Sequence, residues 1–220
     1  GIPREVPGVI DSLTEHQEVS IKLHVEGAPV DADFRTRFAP RELFPGKLPP
    51  LRRPHFLAII ASVTLALALA KKATGQVDGF VIEGPTAGGH NAPPRGQLQL
   101  NERGEPLYGP RDEVDLDKIK ALGLPFWLAG GYADPLRVRQ ALEAGGAGVQ
   151  VGTGIPLCRE SGLEDQLKST LLQQVETGEV EIFTDPLASP TGFPFKVAQL
   201  EDTLSDHAAC ATWVICAPPT

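Results

Sequence analysis

From residue 56 to residue 178 the chain repeats one rhythm, a short apolar run followed by a stretch with helical spacing, and few architectures accommodate it. Strands are expected at Phe56–Ala61, Val77–Ile82, Phe126–Ala129 and Gly148–Val151, where β-branched and aromatic residues cluster. Helices are expected at Ser62–Ala73 and Asp115–Leu122, then between Asp134 and Gly145, and from Ser161 to Gly178. Asp134 followed by Pro135 is a strong helix start, because Pro at the first helical position forfeits no hydrogen bond. Ser161 with Glu164 reads as a capping box, and Gly178 as the stop. Strands alternating with helices argue for a parallel sheet covered by helices.

An open doubly wound sheet and a (β/α)8 barrel both satisfy this α/β rhythm. The dinucleotide fingerprint is missing, since Gly146, Gly148 and Gly152 do not fall in the G-x-G-x-x-G register, and nothing matches a P-loop. Glycines sit instead at the carboxyl ends of three successive strands, as Gly88-Gly89, Gly130-Gly131 and Gly152. Barrel active sites lie at that end, and the last strands often supply a phosphate site. A complete barrel takes roughly 250 residues, so the chain is expected to hold mainly the carboxyl half of a TIM barrel. Gly1 to Gln17 reads as a loop and short helix, and Val19–Val25 as a strand. Residues 26–54, with six prolines and with Phe34, Phe38 and Phe44, read as an insertion or lid. The sequence starts at Gly1 and has no methionine, which fits the ordered part of a longer protein.

The glycine-bearing ends suggest a chemistry. Freed backbone N–H groups at Gly130-Gly131 and Gly152, with the Thr153 hydroxyl, form an anion cradle that needs no lysine or arginine. The same glycines also serve tight strand-to-helix turns, and the two roles are compatible. His90, directly after Gly88-Gly89, is expected at the mouth of the site as a general base or acid or as a hydrogen-bond partner. Glu83 either tunes His90 or bonds to nearby amides. Arg95 is read as solvated, and His16, His24, His55 and His207 as surface or packing residues. The loop Leu187–Lys196, with Phe193 and Phe195, either walls a pocket or only packs.

Composition narrows the partners. With 28 acidic against 20 basic residues, net charge -8, there is no electrostatic case for nucleic acid or an anionic membrane. Small molecules or further copies of the chain are the expected partners. Cys158, Cys210 and Cys216 lack metal-ligand spacing, so neither a disulfide framework nor a metal site is expected, and a cytoplasmic setting fits. The apolar stretch Phe56–Ala70 is shorter than the roughly 20 residues a bilayer requires. No Ser/His/Asp or Cys/His hydrolase arrangement emerges.

Taken together, Val77–Gly84, Ala87-Gly88-Gly89-His90, Pro125–Gly131 and Gly148–Thr153 resemble the nitronate monooxygenase family, formerly the 2-nitropropane dioxygenases. That family shares a flavin-binding barrel with the flavin-dependent enoyl-ACP reductases, and the resemblance covers about residues 56–155. It implies a single flavin-binding barrel domain over residues 1–220, with FMN bound noncovalently. Gly130, Gly131, Gly152 and Thr153 would hold the phosphate, with Ala129 and Gln150 alongside, and Ala87, Gly88 and Gly89 would lie near the flavin ring. His90 matches the catalytic histidine, and a nitronate or nitroalkane with O2 would yield a carbonyl compound and nitrite. A flavin-dependent NAD(P)H enoyl-ACP or quinone reductase, a flavin-free phosphate-binding barrel lyase and a non-catalytic binding protein are the alternatives. The long loop after His90 and the 26–54 insertion depart from compact members of the family.

Overall fold

A computed structural model describes residues 4–206 apart from 24, 26, 30, 190, 191 and 202. His24, His207, Cys210, Cys216 and part of the 187–196 loop therefore lie outside the described residues. The strands and helices run in the order α1 (Val6–Thr14), β1 (Val19–Lys22), β2 (Arg35–Phe38), α2 (Pro40–Leu43), β3 (Leu57–Ile60), α3 (Val63–Lys72), β4 (Gly79–Glu83) and α4 (Leu116–Lys120). They continue through β5 (Phe126–Ala129), α5 (Pro135–Glu143), β6 (Gly148–Gln150), α6 (Asp165–Thr177), β7 (Ile182–Asp185) and β8 (Phe195–Ala198). Strands β3 to β6 form a four-stranded parallel sheet in the order β3-β4-β5-β6, alternating with helices as the rhythm required. Among the described residues no helix is long and apolar enough to cross a membrane.

The chain divides into two compact units, residues 1–81 with 115–126, and residues 82–114 with 127–220. In the first unit, α3 starts where Ser62 Oγ accepts the Leu65 N–H at 3.1 Å, and Lys71 and Lys72 occupy its last turn beside the negative helix terminus. Ala66 and Leu69, three residues apart, are fully buried on its inner face. Ile119 of α4 is also fully buried, while Leu116 and Leu122 are half-buried. Arg53 donates to Asp11 of α1 and to Asp78, which also accepts from the Phe56 N–H at 2.7 Å and from Gln76 Nε2. This knot ties α1 to the segments entering β3 and β4.

The expected 26–54 insertion is partly regular. β2 pairs antiparallel with β1 in the register Val19↔Phe38 to Lys22↔Arg35, and α2 follows it. Every residue of β2 is exposed, so no apolar alternation marks the strand in the sequence. Its hold comes from Arg37, which grips Glu18 across the ladder and Glu42 in α2.

In the second unit, α5 begins as expected, with Asp134 Oδ1 accepting from the Leu136 and Arg137 N–H groups at 2.9 and 3.1 Å. The start expected for α6 does not hold. Its N-cap is Glu164, without a side-chain cap, and the Ser161 hydroxyl donates instead to the Pro156 carbonyl five residues back. The helix begins only at Asp165, so Ser161 stands three residues before the N-cap, out of the capping position. The stop at Gly178 stands, with φ +75°. β7 and β8 form an antiparallel hairpin in the register Ile182↔Ala198 to Asp185↔Phe195, so Phe195 and Lys196, expected within a loop, begin a strand.

Candidate functional site

The last residues of β4, β5 and β6 are Glu83, Ala129 and Gln150. Parallel pairing sets Ala129 opposite Gln150. A cavity of about 360 Å³ opens at these carboxyl ends, and its lining includes all three. The remaining lining comes from Ala87, Gly88, Gly89, Gly130, Gly152, Thr153 and Pro156. Eight of the nine residues expected around a phosphate-bearing cofactor thus converge, Gly131 being outside the lining. The volume lies at the lower end of the roughly 300–1,000 Å³ usual for small-molecule sites.

The glycines are there for different reasons. Gly130 has φ +109°, and a Cβ on it would stand 2.9 Å from the Ala87 amide nitrogen, so backbone geometry and close packing both demand glycine. A Cβ on Gly88 would meet Thr153 Oγ1 at 2.5 Å. At Gly152 neither reason applies: its φ is ordinary and a Cβ would meet nothing within 4 Å. What its missing side chain preserves is open space on the cavity wall.

The segment between β4 and His90 is bound in place. Thr86 Oγ1 donates to the Gly130 carbonyl at 3.2 Å, and the Ala87 N–H donates to the Gly84 carbonyl. Asn91 is 2 % exposed; its Nδ2 donates to the Ala87 carbonyl at 3.0 Å, and its Oδ1 is buried without a hydrogen-bond partner among the described residues. The β7–β8 hairpin grips the same segment from the other side. Lys196 N–H donates to the Gly89 carbonyl at 2.9 Å and Asn91 N–H to the Pro194 carbonyl at 2.8 Å.

His90 itself is exposed and does not line the cavity, although Gly89 beside it does. Its Nε2 lies 2.7 Å from Ser189 Oγ, and its ring meets Phe195 edge-on at 4.7 Å between centroids. Phe195 therefore packs on the histidine, while Phe193 has no such contact among those described. Ser189 belongs to the 187–196 loop, which the sequence marks only by its prolines and phenylalanines; a hydroxyl pairing with a histidine 99 residues away has no sequence signal.

Glu83 also lines the cavity, and burial pushes its carboxyl above the usual range. Burial disfavours the charged form of this acid, which lessens the repulsion an anion in the cradle would meet. No lysine or arginine lines the cavity, so an anion there would be held by amides and the Thr153 hydroxyl. A larger cavity of about 540 Å³ in the same unit lies among Arg103, Glu181, Phe183 and Glu201, away from the strand ends and without glycines. Among the described residues no group of three His, Cys, Asp or Glu side chains is placed to hold a metal ion.

Comparison with known proteins places this geometry in context. A Pseudomonas aeruginosa nitronate monooxygenase is 31% identical over 168 residues, covering 76% of this chain and 41% of that protein. A probable nitronate monooxygenase of Bacillus subtilis is 34% identical over 113 residues, 51% of this chain and 30% of the relative. A Mycobacterium tuberculosis protein, (3aS,4S,5R,7aS)-5-hydroxy-7a-methyl-1-oxo-octahydro-1H-indene-4-carboxyl-CoA dehydrogenase, is 30% identical over 122 residues, 56% and 31% of the two chains. The matched stretch covers less than half the length of each of these relatives. The family model described as nitronate monooxygenase matches residues 52–185, which takes in β3 to β7 and the whole of the cavity, and the chain belongs to the nitronate monooxygenase family of enzymes.

Proposed function

We propose that this chain forms the FMN-binding part of a (β/α)8-barrel oxidoreductase that converts nitronates or nitroalkanes with O2 to carbonyl compounds and nitrite. The observation that carries the reading is the cavity at the ends of β4, β5 and β6, where Gly152 keeps space open for no conformational or packing reason. A phosphate-bearing flavin fits this donor set. Backbone amides near Gly130 and Gly152 and the Thr153 hydroxyl would hold the phosphate, with Gly131, Ala129 and Gln150 alongside, and Ala87, Gly88 and Gly89 would border the ring. FMN, when bound, supplies the electron transfer from substrate to oxygen. The protein's own residues orient and exclude water, and His90 binds the substrate's nitro group or accepts its proton.

The test is an absorption spectrum of the purified full-length protein, repeated anaerobically after a nitronate is added. An oxidised-flavin spectrum that bleaches on addition is the expected result. No flavin, even after reconstitution with FMN, overturns the reading in favour of a flavin-free phosphate-binding lyase or a non-catalytic role. The Mycobacterium tuberculosis relative, named a carboxyl-CoA dehydrogenase, favours one competing reading, a flavin enzyme acting on a thioester or quinone with a nicotinamide. Flavin that stays oxidised with the nitronate and bleaches with NAD(P)H selects it.

A further inference from the structure

We propose that Ser189 is a positioning residue that holds the proton of His90 on Nε2 and so presents Nδ1 as the nitrogen that takes a proton from a nitroalkane. The inference rests on the function proposed above and adds to it an element outside the three glycine motifs. Ser189 is 6 % exposed, and its Oγ lies 2.7 Å from His90 Nε2. Among the described residues Nδ1 has no hydrogen-bond partner. The Phe195 ring packs edge-on against the imidazole at 85°, and the two backbone bonds from the hairpin, at Gly89 and Asn91, fix the residues on either side. One edge of the ring is thus anchored to the β7–β8 hairpin, and the other edge is left available.

The direction of the bond follows from what the base must do. Abstraction breaks the substrate's α C–H bond; its electron pair passes into the C=N bond of the nitronate and onto the nitro oxygens, and the proton forms a bond to Nδ1. No electrons leave the substrate in this step. In the resulting imidazolium both ring nitrogens are donors. Only a serine that already accepts from Nε2–H keeps its bond unbroken through the step, and that bond strengthens when its donor becomes charged. A serine donating to Nε2 would put the resting proton on Nδ1 and leave no base on the free edge.

Two readouts test this on the flavin-reconstituted full-length protein. Nitrogen-15 NMR of the His90 imidazole reads the tautomer directly, and the expected resting form carries its proton on Nε2. The Ser189→Ala variant is expected to lose about tenfold more kcat/KM with nitroethane, which must be deprotonated, than with preformed ethyl nitronate, as loss of a bond to a charged group implies. Ser189→Thr, which keeps the hydroxyl, should restore the ratio. A proton on Nδ1 in the resting protein, or an equal loss on both substrates, overturns the proposal. If the unsubstituted protein turns over neither substrate, the proposed function fails, whereas the NMR result still decides the tautomer.

Discussion

Gly130 and Gly152 look alike in the sequence, each following a strand, yet they predict opposite results on substitution. Gly130→Ala forces a side chain into a positive-φ position and toward the Ala87 backbone, so it should cost about 1–3 kcal/mol of stability, read by chemical denaturation. Gly152→Ala should leave stability nearly unchanged and weaken FMN binding, about tenfold if one phosphate hydrogen bond is lost, read by flavin fluorescence titration. Equal destabilisation by both would assign Gly152 to the turn alone. Glu83 offers a pH signature. Burial holds its folded pKa above the ordinary value of 4.5, so the folded state keeps a proton that the unfolded state has released. Its contribution to stability is complete below pH 4.5 and is lost as the pH rises through the folded value. Glu83→Gln should flatten that part of the stability–pH curve and make the protein relatively more stable at neutral pH, as measured by urea denaturation of the flavin-free protein at pH 4 and pH 7.

A buried face or a side-chain cap made β5 and α5 legible in the sequence, and β2 and β8 carry neither. β5 and α5 emerge within a residue of their expected bounds, because Phe126 and Leu128 are buried and Asp134 caps the amides that α5 leaves unpaired. Asp134→Ala should therefore cost about 1 kcal/mol, seen as a shift in denaturation midpoint. Ser161, by contrast, is expected to be nearly neutral for α6, since it stands three residues before the N-cap Glu164. β2 is invisible because an exposed ribbon strand buries nothing, and β8 because its four residues are all half-buried, with no alternation to read. For the cavity, three glycine motifs at strand ends sufficed to bring eight residues together, since parallel strands deliver their carboxyl ends to one side. The hairpin contact at Ser189 was beyond reach, because side-chain pairing across 99 residues depends on how a loop closes and not on local pattern.

At the scale of the molecule, β3 carries a pattern that the barrel reading explains. Ala58 and Ile60 are buried at 0% and 1% exposure, whereas Leu57 and Ile59 are 36% and 41% exposed, although all four are apolar. Strands of parallel sheets in α/β proteins are covered on both faces, and a continuous apolar run is the signature of that environment. In the barrel reading the second face of this continuously apolar strand would be covered as well. The matched stretches cover 41% or less of the relatives described above, and a closed barrel would bring further β/α units against that face. Accessibility of the face distinguishes the cases. In full-length protein with Cys158, Cys210 and Cys216 replaced by serine, a thiol introduced as Ile59→Cys should react with a maleimide at least about tenfold more slowly than Cys158 alone, which is exposed. Barrel closure buries the position, and labelling then requires local opening, whose free energy sets the ratio. A thiol at position 59 that reacts as fast as Cys158 would mean that the sheet stays open on this side, and the (β/α)8 reading would give way to an open parallel sheet carrying the same three strand-end motifs.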